Sequence, residues 1–557
     1  MVQFNEESEQ KDSAELRIRE QEDLTRLLSE KYGLPYTDLS LVPVNIDALR
    51  EVPEADARKG RLAPFRITGK TLHVATITPE DEETRRVLAA LEGRRFKVTL
   101  YVTSKRSLEK AWEYYKDVAL SIETTGGILD ISQEKVKGYL GNIKTTADVA
   151  NTIKEAVQGK KKYQTTALLE LLIASAIATN ASDIHIEPKE DEVEIRFRLD
   201  GVLHELSAIE TKVSALLVSR IKLLSGMKLN VKDAAQDGRF SVNLEEDMEI
   251  RSSAIPGAYG ESVVLRILNP KTIRVGFENL GIEPYLLSLI EKEIAKPNGT
   301  IITTGPTGSG KTTTLYAFLK KLHTPEVKIV TIEDPIEYHL PGITQTQVDQ
   351  ESEYTFSEGL RSALRQDPDI IMVGEIRDND TASTAIHAAL TGHMVLSTLH
   401  TNDAAGAIPR LVDMGINPKV LGSALNAVLA QRLVRKLCEA CKKQEPATDE
   451  ERHYIETVVA TLPERYKKEV AGVDFTSLFH VVGCDACSTI GYKGRVGVYE
   501  AIIMDATIEN IVKESPSARE LREAADAQGL LTLVQDGVLK VIKGITTLAE
   551  LKRVVGE

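Results

Sequence analysis

The sequence predicts a multidomain α/β protein, and three observations predict it. The stretch Thr300 to Thr314, TIITTGPTGSGKTTT, runs from four β-favouring residues through a glycine-rich turn into a helix-permissive segment at Leu315 to Leu319. Three more β-rich runs, Val327 to Ile332, Ile370 to Val373 and Met394 to Leu399, are continuous rather than alternating, which suits parallel strands buried on both faces. Upstream, short alternating runs joined by turn residues lie between helical patterns and read as α+β units.

Bulk properties set the frame. At 557 residues the chain is too long for one core. With 42% hydrophobic and 27% charged residues it reads as soluble globular protein. Lys and Arg number 69 against 83 Asp and Glu, a formal charge of −14, which disfavours a broad nucleic-acid surface and leaves room for a local basic channel. The most apolar stretch, Ala167 to Ala181, is only 15 residues long and carries Glu170, so it predicts a buried helix and no transmembrane segment. The first 22 residues are charged without an apolar centre, so no secretory signal is expected and the location is cytoplasmic.

In order along the chain, residues 1–19 form a polar tail and 20–115 an N-terminal α+β domain. In the latter a helix ends near Gly33-Leu34-Pro35, Leu62 to Ile67 and Thr71 to Ile77 make a hairpin through Thr68-Gly69-Lys70, and a helix over Glu82 to Leu91 precedes a strand at Phe96 to Val102. Residues 116–160, with Gly126-Gly127 and the run Lys160-Lys161-Lys162, read as a linker, with electrostatic docking the alternative for the lysines. A second domain, 161–272, opens with a helix over Thr166 to Thr179. It continues with a hairpin turning at Asp200-Gly201, a helix over Lys212 to Met227, and strands at Arg239 to Leu244, Met248 to Ala254 and Glu261 to Leu268. Its arginines Arg196, Arg198, Arg220 and Arg239 are either solvated or reach nucleotide phosphates across a boundary. Residues 273–557 form the P-loop domain, with a cysteine-bearing insertion at 436–492 and C-terminal helices at 505–557.

The chemistry centres on Gly305, Pro306, Thr307, Gly308, Ser309, Gly310, Lys311, Thr312 and Thr313. The spacing G-x-x-x-x-G-K-T lets backbone N–H groups curl around phosphates, sets Lys311 against the β- and γ-phosphates and offers the Thr312 hydroxyl to Mg²⁺. The three buried runs end in Glu333-Asp334-Pro335-Ile336-Glu337, Gly374-Glu375 and His400, at the sheet edge where ligands bind. Gly374 stands where many P-loop enzymes place a metal-binding aspartate, so Glu375 is the water-activating residue, and Thr312 with Glu333 or Asp334 supports the metal. His393 and His400 are candidates to sense the γ-phosphate, and Arg361, Arg365 and Arg377 to act as arginine fingers.

Cys438-Glu-Ala-Cys441 and Cys484-Asp-Ala-Cys487 use every cysteine in the chain. Two C-x-x-C pairs predict a structural Cys₄ Zn²⁺ site, with a redox pair as the alternative; the 42 residues between Cys441 and Cys484 call for a helical insertion.

The runs ASDIHIEP, RFRLDGVL, GPTGSGKTTTLY, TIEDPIEY, LRQDPDIIMVGEIRD, TGHMVLSTLHTNDA and GYKGRVGVYE together resemble the secretion-ATPase superfamily, and within it the GspE/PilB group of type II secretion and type IV pilus assembly ATPases, from about residue 165 to 557. The resemblance implies a RecA-like ATPase core, a PAS-like second domain, and ATP and Mg²⁺ as cofactors. It further implies a homo-hexamer at the inner face of the cytoplasmic membrane, an inner-membrane platform protein as partner and a cytoplasmic recruitment protein. Onto this chain it carries an acidic box (Glu333, Asp334, Glu337), Glu375, a histidine box (His393, His400), and Arg220, Arg239, Arg361 and Arg365 at subunit contacts. Lys232-Asp-Ala-Ala235 departs from the basic residues and proline of relatives, and the N-terminal domain lacks the arginine-leucine-glycine signature of the members that bind cyclic di-GMP, so cyclic di-GMP is not an expected ligand. The expected function is ATP-driven assembly of pili or pseudopili. The alternatives are a DNA-translocating motor and a nucleotide-dependent scaffold.

Overall fold

The computed structural model describes residues 21–42, 44–45, 48–49, 51–68, 71–94, 96–115, 128–130, 138, 143, 145–158, 165–243, 248–269, 275–349 and 352–556. The tail 1–19, Gly126-Gly127, Lys160 to Lys162 and the turn residues Gly69 and Lys70 lie outside them.

The N-terminal unit follows from its alternating runs. β1 (Leu62–Thr68) and β2 (Thr71–Thr76) pair antiparallel, and β3 (Lys97–Val102) joins β2 in parallel after the crossover helix Glu82–Gly93. Leu62, Leu72 and Val74 of the sheet and Leu108 of the helix Lys105–Glu113 share one buried core, and the Trp112 indole donates to Leu62 O at 3.0 Å.

The second unit is a seven-stranded sheet ordered β4-β8-β9-β10-β5-β6-β7. Its strands are β4 (Ile128–Asp130), β5 (Asp183–Pro188), β6 (Val193–Leu199), β7 (Val202–Ile209), β8 (Gln236–Asn243), β9 (Met248–Gly257) and β10 (Gly260–Leu268). β6 alternates buried and half-buried residues along its length, as the sequence Val-Glu-Ile-Arg-Phe-Arg-Leu requires when helices cover one face. The helix Thr165–Ala178 is apolar all round and is buried from Leu168 to Ala176, Glu170 included. The stretch read as a linker is corrected here: β4 pairs in parallel with β8, and Leu129, Val149 and Ile153 join this unit's core. A three-residue strand has too few positions for any period to be read, and only its tertiary partner defines it.

One row of this sheet is chemically unusual. Arg239 on β8, Arg251 on β9, Arg266 on β10, Asp183 on β5 and Arg198 on β6 stand directly opposite one another in register. Four guanidiniums and one carboxylate thus share one face, a concentration of like charge that costs stability unless anions offset it.

The third unit is a seven-stranded sheet ordered β13-β12-β14-β15-β11-β16-β19. It comprises β11 (Gly299–Thr304), β12 (Ile329–Glu333), β13 (Thr344–Gln347), β14 (Ile370–Val373), β15 (Met394–Leu399), β16 (Leu425–Leu437) and β19 (Tyr492–Ile503). A two-stranded ribbon, β17 (Lys443–Pro446) with β18 (Ser477–His480), and helices Asp449–Ala460 and Glu464–Glu469 fill the interval between the cysteine pairs. β11, β12, β14 and β15 are buried along their whole length, as suits strands of β-branched and apolar residues in a parallel sheet covered on both faces. β15 lies between β11 and β14, the arrangement of a RecA-like core, and β19 closes the edge antiparallel to β16.

Candidate active site

The P-loop links β11 to the helix Lys311–Leu322. Gly305 has φ +148° and Gly310 φ +90°, where a side chain is strained, and neither has room for one. A Cβ on Gly305 would lie 2.5 Å from Gln431 O, and one on Gly310 2.8 Å from Gln431 Nε2. Lys311 folds back over the loop, donating to Gly305 O at 2.8 Å and Pro306 O at 3.2 Å. Burial pulls its ammonium below the usual lysine range, while the negative charge of Glu375 pulls it up. Ser309 is buried and its hydroxyl has no hydrogen-bond partner among the described residues, an orphan that a phosphate oxygen would satisfy. Thr312 is exposed at the helix start. The donor set fits a nucleotide triphosphate with its Mg²⁺.

Three strand ends frame this loop. Glu375, after β14, is gripped by Arg377 and lies 3.3 Å from His400 Nε2, after β15; Arg377 also lies 3.9 Å from Asp334, after β12. Gly374 is pinned by its own N–H to Ile332 O at 2.8 Å and by the Thr398 hydroxyl on its carbonyl at 2.8 Å. A Cβ there would meet Ile332 O at 3.2 Å and Phe356 Cε1 at 3.3 Å, so a side chain at this position would crowd the end of β12 and the helix Phe356–Leu364.

Two expectations need correction. Glu333 does not face the metal as a free carboxylate: it is 2% exposed and accepts from the Tyr316 hydroxyl, from Thr331 Oγ1 at 2.5 Å and from Gln345 Nε2 at 3.0 Å. It ties β12 to the P-loop helix. His393 precedes β15, at the edge where β11 begins, with Gly299 N–H donating to His393 O. The P-loop is at the opposite end of the parallel β11, about 20 Å away at 3.3 Å per residue. A histidine-box pattern in sequence does not record that a strand separates its two members.

The arginines divide. Arg361 and Arg365 are exposed on and just after the helix Phe356–Leu364, and Arg365 donates to Ser362 Oγ at 2.9 Å. Arg220 is buried on the helix Thr211–Leu224, whereas Arg239 is exposed and has no acidic partner within 4 Å among the described residues. Glu337 is bound by a residue the sequence reading missed, Arg251 of the second unit, whose guanidinium lies 3.3 Å from its carboxylate and also donates to Ile336 O. Gln431 and Arg432 on β16 were likewise missed: Gln431 accepts from Thr314 Oγ1 at 2.8 Å, and Arg432 donates to Asn402 O at 2.8 Å. Beside the P-loop helix a cavity of about 850 Å³ opens, lined by Thr313, Leu280, Asn279, Val496 and Gly497 among others.

The four cysteines converge. Their Sγ atoms all lie within 4.8 Å of one another, with Cys438–Cys484 at 3.9 Å and both Cys441–Cys487 and Cys484–Cys487 at 3.8 Å. Sulfurs at about 2.3 Å from one tetrahedral zinc stand about 3.8 Å apart, so the spacing fits a Cys₄ metal site and excludes disulfides. The N–H groups of Cys484 and Gly491 each point at Cys487 Sγ at 3.2 Å, the donors a thiolate ligand needs.

A RecA-like sheet with a P-loop, an acid-bearing strand end and a histidine on the strand between them defines a P-loop ATPase. Residues 158–553 match the family described as type II/IV secretion system protein, and residues 32–122 match the MshEN domain. The chain is 37% identical over 534 residues to the type IV pilus assembly ATPase PilB of Myxococcus xanthus, covering 95% of this chain and 90% of that protein. It is 41% identical over 454 residues to the type II secretion system protein E of Pseudomonas aeruginosa, covering 81% and 85%. Among solved structures, the Legionella pneumophila ATPase DotB shares the fold at TM-score 0.50 and 23% identity, over 71% of this chain and 97% of that one. The chain belongs to the type II/IV secretion ATPase family, in the group of type II secretion protein E and PilB, and is an ATP-hydrolysing enzyme. Among the described residues, no helix is long and apolar enough to cross a membrane.

Proposed function

We propose that this chain works as a homo-hexameric ATPase at the inner face of the cytoplasmic membrane, where it drives pilus or pseudopilus assembly through an inner-membrane platform protein and a cytoplasmic recruitment protein. The observation that carries the ring is an incomplete cationic shell: Arg361, Arg365 and Arg239 are exposed and have no carboxylate within 4 Å among the described residues, whereas the neighbours of Arg239 in the arginine row are paired, Arg198 and Arg266 with Asp183 and Arg251 with Glu249 and Glu337. A neighbouring subunit's triphosphate supplies the missing anion. Within one subunit, Lys311 leaves its two loop carbonyls for the β- and γ-phosphates, Ser309 and the loop N–H groups hold phosphate oxygens, and the base enters the cavity beside Thr313. Thr312 and Asp334 hold Mg²⁺, which neutralises phosphate charge. Glu375 orients the attacking water, His400 fixes its carboxylate, and Arg377 ties it to Asp334. Cys438, Cys441, Cys484 and Cys487 hold a structural Zn²⁺.

Mixing two inactive variants tests the shared site. Arg239→Ala supplies an intact Glu375, and Glu375→Gln supplies an intact Arg239, so rings assembled from both contain some complete sites. Recovered ATPase activity on mixing is expected; a mixture as inactive as its parts would contradict a site built from two subunits.

A further inference from the structure

The cavity beside the P-loop has an unexpected wall. The cavity is lined both by Gly310, Thr313 and Thr314 of the P-loop and its helix and by Cys487, Ser488 and Ile490, from the turn of the second cysteine pair. A cysteine of the metal cluster therefore lines the same space as the P-loop helix.

The backbone links these two sets of residues as well. β16 floors the P-loop through Gln431 and ends at Leu437, the residue before Cys438; β19 begins at Tyr492, directly after the second cysteine turn. Both strands of one antiparallel pair thus run from the phosphate loop to the four thiols. The second unit meets this turn and the strand after it: Ile490 packs on its core, and Asp200, between β6 and β7, accepts from Gly494 N, near the start of β19, at 2.8 Å.

We propose that the turn Cys484–Gly491 is a wall of the nucleotide site, so that metal at the four cysteines and nucleotide at the P-loop bind with positive coupling. This rests on the reading above that the base enters the cavity. Bonding the four thiols to one ion fixes the backbone of Asp485 to Ile490, and with it one side of the pocket. In the metal-free chain that ordering must be completed when nucleotide binds, which weakens affinity. Coupling of this kind is reciprocal and is typically about 5-fold to 150-fold.

The test uses the full reduced chain, either loaded with zinc and checked for one zinc per chain, or stripped by a chelator. A fluorescent ADP analogue should bind the loaded chain at least about fivefold more tightly, and saturating ADP should slow zinc transfer to a coloured chelator by the same factor. Equal ADP affinities together with ADP-independent zinc release would overturn the proposal while leaving the metal reading intact. A native chain that holds no zinc would overturn the metal reading with it. Because stripping can unfold the insertion, Ala486→Trp, at a residue lining the cavity, keeps all four cysteines and fills the wall directly. Weakened ADP binding at unchanged zinc content supports the wall, and unchanged binding overturns it.

Discussion

His400 Nε2 lies 3.3 Å from Glu375 Oε2, joining the ends of two neighbouring parallel strands, β15 and β14, on a single carboxylate. His393, at the other end of β15, has instead its Nδ1 2.9 Å from Ala388 O. The two histidines therefore make different predictions. His400→Asn removes a hydrogen bond to a charged group, about 1.5–3 kcal/mol, and should lower kcat about tenfold or more with little change in nucleotide affinity. His393→Asn should leave kcat within about twofold, since the contacts of His393 lie at the end of β15 remote from the P-loop. Steady-state ATPase assays on both variants check the pair.

Gly374→Asp tests whether this strand end accepts the acid that other P-loop enzymes carry. With Ile332 O and Phe356 Cε1 at 3.2 and 3.3 Å from a Cβ, overpacking should destabilise the ATPase unit by about 1–3 kcal/mol. A lowered Tm with no gain in Mg²⁺ affinity is the expected result of thermal unfolding and metal titration.

Glu550 should govern the acid limb of stability. Burial alone would raise its pKa, but hydrogen bonds from Arg553 and Arg435 bring it from the ordinary 4.5 down to about 2. A depressed carboxyl contributes stability that is fully present above its unfolded value and is lost as pH falls from about 4.5 towards 2. The Tm of the parent chain should drop through that window, and Glu550→Gln should lower Tm at pH 7 and flatten the drop.

The parts of this protein that were legible in sequence are those where local chemistry and tertiary role agree. The P-loop glycines Gly305 and Gly310 sit where positive φ and close neighbouring atoms leave no room for a side chain, and β12, β14 and β15 are rich in β-branched and apolar residues because both faces are covered. β16 was not legible: Leu425–Leu437 is rich in Ala, Leu, Gln and Arg, helix formers that become a strand because β11 and β19 flank them with open hydrogen-bonding edges. The same override hid Gln431 and Arg432, which reach the P-loop only once that strand is in place. The burial of Glu333 was hidden for another reason. An acid closing an apolar run looks the same whether it meets a metal or a tyrosine, and Tyr316, one turn into the P-loop helix, decides the matter.

The central claim is that Lys311, Thr312 and Glu375 act on one magnesium-bound triphosphate. The most direct measurement is single-turnover hydrolysis by Glu375→Gln beside its equilibrium affinity for ATP. Removing a group that activates water costs about 10²–10⁴ in rate, so the variant should bind Mg²⁺-ATP as tightly as the parent chain and retain it uncleaved. ATP cleavage at the parental rate, or lost ATP binding in a folded variant, would contradict the assignment.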